Sequence, residues 1–182
     1  MSQVLSLNNP LQSVFAKSSA KNTGRYLALF IAGIAILTLS AKIALPLLPV
    51  PMSLQTLAVL FIGMIYGRKL GTATVMSYVA LGLAGIPVFV SVPNVASVGY
   101  IIGFIPAAYI AGTLIERGWG RSILSTALAA FIGTVVIYAF GISWLSTIVG
   151  FKGAVTAGLL PFLLIDLGKV AMLALTVPKF WK

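Results

Sequence analysis

The sequence predicts an all-α integral membrane protein with six transmembrane helices, and three observations support this fold class. Apolar residues make up 60% of the 182 residues and charged residues only 8%, whereas a soluble domain carries about 25% charged residues. The mean hydropathy is +1.11, which excludes disorder because disorder requires low hydrophobicity. The third observation is that ten of the twelve Lys and Arg residues fall outside the apolar runs. So few charges could not cover the surface of a soluble domain.

Residues 1–24 are polar and mixed in composition. They lack the short basic segment, apolar stretch and cleavage site of a signal peptide. We expect them to form a tail or a weak interfacial helix that lies on the membrane surface. The six-helix membrane domain is predicted to occupy residues 25–182.

Six apolar runs follow this segment and predict the transmembrane helices. They cover residues 26–45, 54–66, 70–86, 98–115, 122–142 and 154–177. A spanning helix needs about 20 residues, so the second run is short, and Pro161 interrupts the sixth. No internal repeat is evident, which argues against a transporter built from inverted repeats.

The basic residues predict the orientation of these helices. Two lie on one side of the membrane, Lys42 and Lys152, and Lys169 lies inside the sixth run. The opposite side holds the other nine, which are Lys17, Lys21, Arg25, Arg68, Lys69, Arg117, Arg121, Lys179 and Lys182. Cytoplasmic loops carry the excess of Lys and Arg. We therefore expect a multi-pass protein of the inner or plasma membrane with both termini in the cytoplasm.

The residue counts exclude most enzyme classes. The chain has no Cys, no His and only two acidic residues, Glu116 and Asp166. These counts remove thiolate and imidazole metal ligands and the commonest general base. A phosphate-binding GxxxxGK[ST] loop is also absent from the sequence. A membrane enzyme is therefore the weakest hypothesis, and no cofactor or metal is expected. The net charge of +10 is better explained by basic residues in cytoplasmic loops than by nucleic-acid binding.

Asp166 and Lys169 are the strongest candidates for a functional site. They are the only ionisable residues well inside an apolar run, and their i, i+3 spacing places them on one face of a helix. Intramembrane charges of this kind usually mark a ligand or ion site, in which Asp166 would accept N–H groups and Lys169 would donate to an oxygen. The alternative is an ion pair that only packs the bundle.

Polar and aromatic residues of the loops and helix ends extend this site. Gln55 follows the proline-rich PVPMS segment, where it could bond a ligand or only a loop carbonyl. Asn94 can both donate and accept hydrogen bonds, which suits a cyclic urea or amide, although it could simply be a turn residue after Pro93. Aromatic residues that could wall an apolar pocket, or simply pack the core, are Tyr78, Phe89, Tyr100, Tyr138 and Trp144.

Pairs of small residues at four-residue spacing allow helix backbones to approach closely. Packing within the chain suffices to explain Gly63 and Gly67. Ala28 and Ala32 of the first run could instead form a docking face for another membrane subunit.

Four segments together resemble the BioY family, the biotin-binding S components of energy-coupling-factor (ECF) transporters. They are PVPMSLQTLAVL at 49–60, GRKLGT at 67–72 with LGLAGIPVF at 81–89, GYIIGF at 99–104 and PFLLIDLGKVAMLAL at 161–175. The resemblance covers roughly residues 25–178. Where the family typically carries a glycine-rich third loop ending in a sequence such as GPTGGY, this chain has SVPNVASVGY.

The resemblance implies an S-component fold with a biotin pocket near the outer face of the membrane, closed by the first loop (residues 46–53). It implies that Asp166, Lys169 and Asn94 lie at the polar end of biotin. It further implies that Ala28 and Ala32 contact a transmembrane coupling subunit, which works with two ATPase subunits. Alternatives remain open: an S component for another vitamin, a chain that works alone or with a shared coupling module, or a structural membrane protein.

Overall fold

The structure is a computed structural model that describes residues 21–89 and 95–181, with side chains from residue 24 onward. The described residues form five helices and one short hairpin. The helices are α1 (Lys21–Lys42), α2 (Gln55–Leu83), α3 (Val98–Glu116), α4 (Ile123–Gly158) and α5 (Leu163–Thr176). Strands β1 (Ala44–Leu45) and β2 (Met52–Ser53) pair antiparallel in the first loop, and 3-10 turns cover Val95–Ser97, Trp119–Arg121 and Val177–Lys179.

Two of the helices are broken at a glycine. Gly67 interrupts α2 with φ 78° and ψ 176°, and Gly150 interrupts α4 with φ 76° and ψ 161°. Glycine adopts positive φ without the steric penalty that a side chain would bring. Beyond the first break, Glu116 Oε1 accepts a hydrogen bond of 2.8 Å from the backbone N–H of Arg68. This bond caps the second half of α2 and places the break beside the end of α3.

The structure agrees with the predicted boundary between the second and third runs and corrects the boundary between the fifth and sixth. The second and third apolar runs, 54–66 and 70–86, correspond to the two halves of α2, which Gly67 separates without an intervening loop. The predicted sixth run starts in the wrong place, because residues 154–158 belong to the end of α4. Pro161 precedes Phe162, which occupies the N-cap position of α5, and the last helix itself begins at Leu163. The predicted interval 143–153 does contain Gly150, but the residues on both sides of it are helical.

Glycines allow the central helices to pack closely. A Cβ atom added at Gly63 of α2 would lie 2.7 Å from the backbone oxygen of Ala108 in α3. Packing within the chain therefore accounts for Gly63, while Gly67 provides the positive φ at the break in α2. On the outside, many large apolar side chains are exposed, among them Leu39, Phe151 and Leu164. This surface suits lipid rather than water.

Three stretches of the described residues are long and apolar enough to cross a membrane, namely Gly24–Lys42, Val95–Glu116 and Ile123–Gly158. The first half of α2, residues 55–66, rises only about 18 Å at 1.5 Å per residue, which is less than the apolar thickness of a bilayer. The proline-rich first loop and its hairpin directly precede this half, and Ser53 at the end of the hairpin contacts Lys169 of α5. These features bring the first loop close to the start of α5.

Candidate ligand site

The structure brings Asp166 and Lys169 together as a buried ion pair. Asp166 lies in the first turn of α5, which begins at Leu163. Lys169 follows one turn later, and its Nζ lies 2.7 Å from Asp166 Oδ1. Each residue is only 6% exposed. Because removing charges from water is expensive, such a pair persists only when its remaining polar atoms are also engaged.

The first loop supplies the other partners of Lys169. Its Nζ donates to the backbone oxygen of Ser53 and to Oγ1 of Thr56, each over 2.8 Å. Two of the three N–H donors of the ammonium group are therefore hydrogen-bonded to the first loop, and the group also makes its ionic contact with Asp166. Lys169 thus fixes the end of the proline-rich loop against α5.

Helix α4 supplies the second partner of Asp166. The hydroxyl of Tyr138 donates to Asp166 Oδ2 over 2.5 Å. The other oxygen, Oδ1, makes the ionic contact with Lys169 and no hydrogen bond to the rest of the described chain. The carboxylate is therefore held from two sides and keeps unused acceptor capacity.

Gln55 connects the first loop to the segment that follows α2. Its Oε1 accepts from the Ser53 hydroxyl over 2.9 Å, and its Nε2 donates to the Tyr78 hydroxyl over 2.7 Å. Tyr78 is fully buried and donates in turn to the backbone oxygen of Val88 over 3.1 Å. A continuous chain of polar contacts thus runs from the ion pair through Ser53 and Gln55 to the third loop.

Tyr100 of α3 lies beside this cluster. Its ring meets that of Tyr138 edge to face, with centroids 6.3 Å apart and an interplanar angle of 84°. Its hydroxyl donates to the backbone oxygen of Gly158 over 2.8 Å. Glycines 141 and 158 make room for it, since a Cβ atom at either would lie within 2.4 Å of the tyrosine. Tyr100 therefore supports Tyr138 and joins α3 to the end of α4.

A groove of about 390 Å³ lies between α4 and α5 and reaches this cluster. Ligand pockets usually have volumes of about 300–1,000 Å³ and mostly apolar walls with a few polar groups. The polar groups here include Asp166 and Tyr138. Apolar residues along the groove include Phe131, Val135, Ile142, Leu163, Leu167 and Val170. The arrangement suits a small molecule with an apolar body and a polar end that offers hydrogen-bond donors.

The remaining predicted features are the alanine pair of α1, Asn94 and the N-terminal segment. Ala28 and Ala32 are both exposed on α1, so their small side chains leave a surface at which another helix could approach closely. Asn94 lies outside the described residues, as do residues 1–20 of the predicted tail or interfacial segment (1–24), whose last four residues form the start of α1.

The sequence did not single out the residues that hold the pair. Ser53 and Thr56 contact Lys169, and Tyr138 entered only as one of five aromatic candidates. Helix α4 is apolar on all sides, so no periodicity indicates which of its residues faces α5. The one available signal was general: a buried charged pair needs further hydrogen-bond partners.

Comparison with known proteins places these features in context. A family profile described as the BioY family matches residues 13–182. The chain is 38% identical over 144 residues to a BioY relative from Pyrococcus horikoshii, covering 76% of this chain and 85% of the relative. It is 36% identical over 149 residues to the biotin transporter BioY of Thermotoga maritima, covering 78% and 86%.

A solved structure shares the fold. The crystal structure of an S component for biotin from an ECF-type ABC transporter matches with a TM-score of 0.78 at 20% identity, covering 89% of this chain and 93% of that one. At this identity the match establishes a common fold, and the site rests on the contacts described above.

Proposed function

Because this chain belongs to the BioY family, we propose that it takes up biotin as the substrate-binding S component of an ECF-type transporter. It is a transport component rather than an enzyme, and biotin is its substrate rather than a cofactor. The observation that carries this function is the buried Asp166–Lys169 pair, joined to Tyr138 in the wall of a mostly apolar groove.

The chemistry of biotin matches this groove. Biotin offers two ureido N–H groups, a ureido carbonyl, an apolar ring with a valeryl chain, and a carboxylate. We assign the recognition of N–H groups to Asp166, whose carboxylate accepts hydrogen bonds only. Lys169 keeps that carboxylate paired and holds the first loop, and it would have to release Ser53 or Thr56 before it could donate to a ligand oxygen.

Three further residues complete the proposed site. Gln55 acts through the first loop, because both ends of its amide are engaged by Ser53 and Tyr78. Tyr100 acts by supporting the ring of Tyr138. Asn94 is proposed to contact the ligand from the third loop, since its amide complements a cyclic urea.

The membrane topology is proposed from the helices and the charges together. Counting the two halves of α2 separately gives six spans: α1, two halves of α2, α3, α4 and α5. An even number of spans agrees with both termini in the cytoplasm, where nine of the twelve basic residues are expected. We place the chain in the plasma or inner membrane.

Transport against a gradient requires partner proteins in this proposal. The sequence carries no phosphate-binding loop of the GxxxxGK[ST] type, so energy would come from two ATPase subunits through a transmembrane coupling subunit. Ala28 and Ala32 are the proposed contact with the coupling subunit, because they are small, exposed and four residues apart on α1.

A competition assay with a site variant tests this function. Purified chain in detergent is loaded with labelled biotin and challenged with unlabelled biotin and other vitamins. We expect only biotin to compete, and Asp166→Asn to weaken biotin binding about tenfold or more, about 1.4 kcal/mol. Competition by a different vitamin would indicate an S component for that vitamin, and unchanged affinity in the variant would refute the site.

A further inference from the structure

Tyr138 holds Asp166 from the opposite side to Lys169. Its hydroxyl donates to Asp166 Oδ2 over 2.5 Å, in the length range of charge-assisted O–H···O⁻ bonds, which are about twice as strong as neutral ones. Edge-to-face packing on Tyr100 holds the ring of Tyr138, and Tyr100 is itself anchored on the Gly158 carbonyl. The tyrosine is therefore a fixed support for the carboxylate.

The cluster formed by Asp166, Lys169 and Tyr138 has more unused hydrogen-bond acceptors than unused donors. Lys169 donates hydrogen bonds to Ser53 and Thr56, and its charge is paired with Asp166. Tyr138 has one hydroxyl proton, which it gives to Asp166. The carboxylate and the phenol oxygen retain unused lone pairs. The cluster can therefore accept hydrogen bonds from a ligand, but has no side-chain donor to offer without breaking a contact.

We propose that Tyr138 is a positioning residue that makes Asp166 selective for neutral N–H donors. Its hydroxyl fixes the orientation of the carboxylate and, together with Lys169, offsets its negative charge. A neutral ureido edge is then preferred over a cationic head group, for which an uncompensated carboxylate would be the better partner. This inference rests on the proposed function, in which biotin presents its ureido N–H groups to Asp166.

The test compares two ligands on one variant. The full chain in detergent micelles is titrated with biotin and with its cyclic guanidine analogue, in which an imino nitrogen replaces the ureido oxygen and which carries the positive charge of a guanidinium. For Tyr138→Phe we expect biotin affinity to fall about three- to tenfold, the usual effect of one lost hydrogen bond or somewhat more. The affinity for the analogue should fall less than the affinity for biotin, or should rise. The ratio of the two affinities, which measures the preference for biotin, should therefore fall about fivefold or more.

A control and a second variant separate positioning from a structural role. Tyr66 is a buried tyrosine of α2 that packs against Gly33 of α1, so Tyr66→Phe should leave the preference unchanged. In an Asp166→Asn background, Tyr138→Phe should change biotin affinity less than about twofold, since the hydroxyl acts through the carboxylate.

Several results would overturn the inference. The role of Tyr138 would be excluded if Tyr138→Phe lowered the affinity for both ligands equally, lowered neither, or bound biotin more tightly. It would also be excluded if Tyr138→Phe caused its full loss of biotin affinity in the Asp166→Asn background. Absence of biotin binding by the wild-type chain would instead refute the proposed function. Wild-type binding with an unchanged preference in Tyr138→Phe would refute the role of the tyrosine alone.

Discussion

Replacing Lys169 by methionine separates what the buried pair does for stability from what it does for binding. The variant leaves the Asp166 carboxylate buried without its cation at 2.7 Å. Breaking a buried pair by removing one partner costs about 3–5 kcal/mol. The double variant Asp166→Asn/Lys169→Met removes both charges, while the oxygen of the introduced amide can still accept from Tyr138.

The double variant should therefore recover most of the lost stability. What it does not recover are the bonds from Lys169 to the Ser53 carbonyl and the Thr56 hydroxyl, worth about 1 kcal/mol each. We expect Lys169→Met to lower the free energy of unfolding by about 3–5 kcal/mol and the double variant by only about 1–2 kcal/mol. Both variants should lose biotin binding.

The assay is denaturant unfolding in mixed micelles, followed on the same samples by biotin titration. A double variant as unstable as Lys169→Met would refute the reasoning that the uncompensated charge is the main penalty. A double variant that folds and binds biotin like the wild type would show that the pair only packs the bundle.

Three further predictions concern the loops, the docking face and the packing. Tyr78→Phe should lower the free energy of unfolding by about 1–3 kcal/mol and speed hydrogen exchange around Val88, because the hydroxyl that joins Gln55 to Val88 is lost. Hydrogen-exchange mass spectrometry would measure the exchange rate, and an unchanged rate would contradict the bridge. Ala28→Leu and Ala32→Leu should leave biotin binding intact but reduce co-purification with the coupling subunit, since both residues are exposed; retained co-purification would place the contact elsewhere. Gly63→Leu should prevent folding or strongly lower the unfolding temperature, because even a Cβ atom would lie 2.7 Å from the backbone of α3; a variant of normal stability would contradict the packing.

Much of the fold could be predicted because a bilayer imposes simple rules on sequence. The fourth run, predicted at 98–115, is observed as α3 over Val98–Glu116. The break at Gly67 falls in the basic segment that the sequence placed between two runs, since that segment is polar. Gly150 falls in the interval 143–153 that the sequence left between the fifth and sixth runs, but the sequence did not show that α4 extends through this interval to Gly158.

The sequence predicted the charged residues of the candidate site but not the residues that contact them. Asp166 and Lys169 stand out because ionisable residues are rare inside apolar runs, and the structure pairs them as their spacing predicts. Tyr138 lies 28 residues from Asp166, and only the packing of α4 on α5 brings them together. Gln55 was predicted as a ligand contact, but the sequence could not show that Ser53 and Tyr78 already engage its amide.

The most direct test of the central claim is an equilibrium titration of the purified chain with biotin, followed by tryptophan fluorescence. Trp144 is a suitable reporter, since its indole N–H donates to the Val95 carbonyl at the edge of the third loop. We predict saturable binding with a dissociation constant between nanomolar and low micromolar, on the order of −8 to −12 kcal/mol. Absence of binding by chain shown to be folded would contradict the assignment of biotin as its substrate.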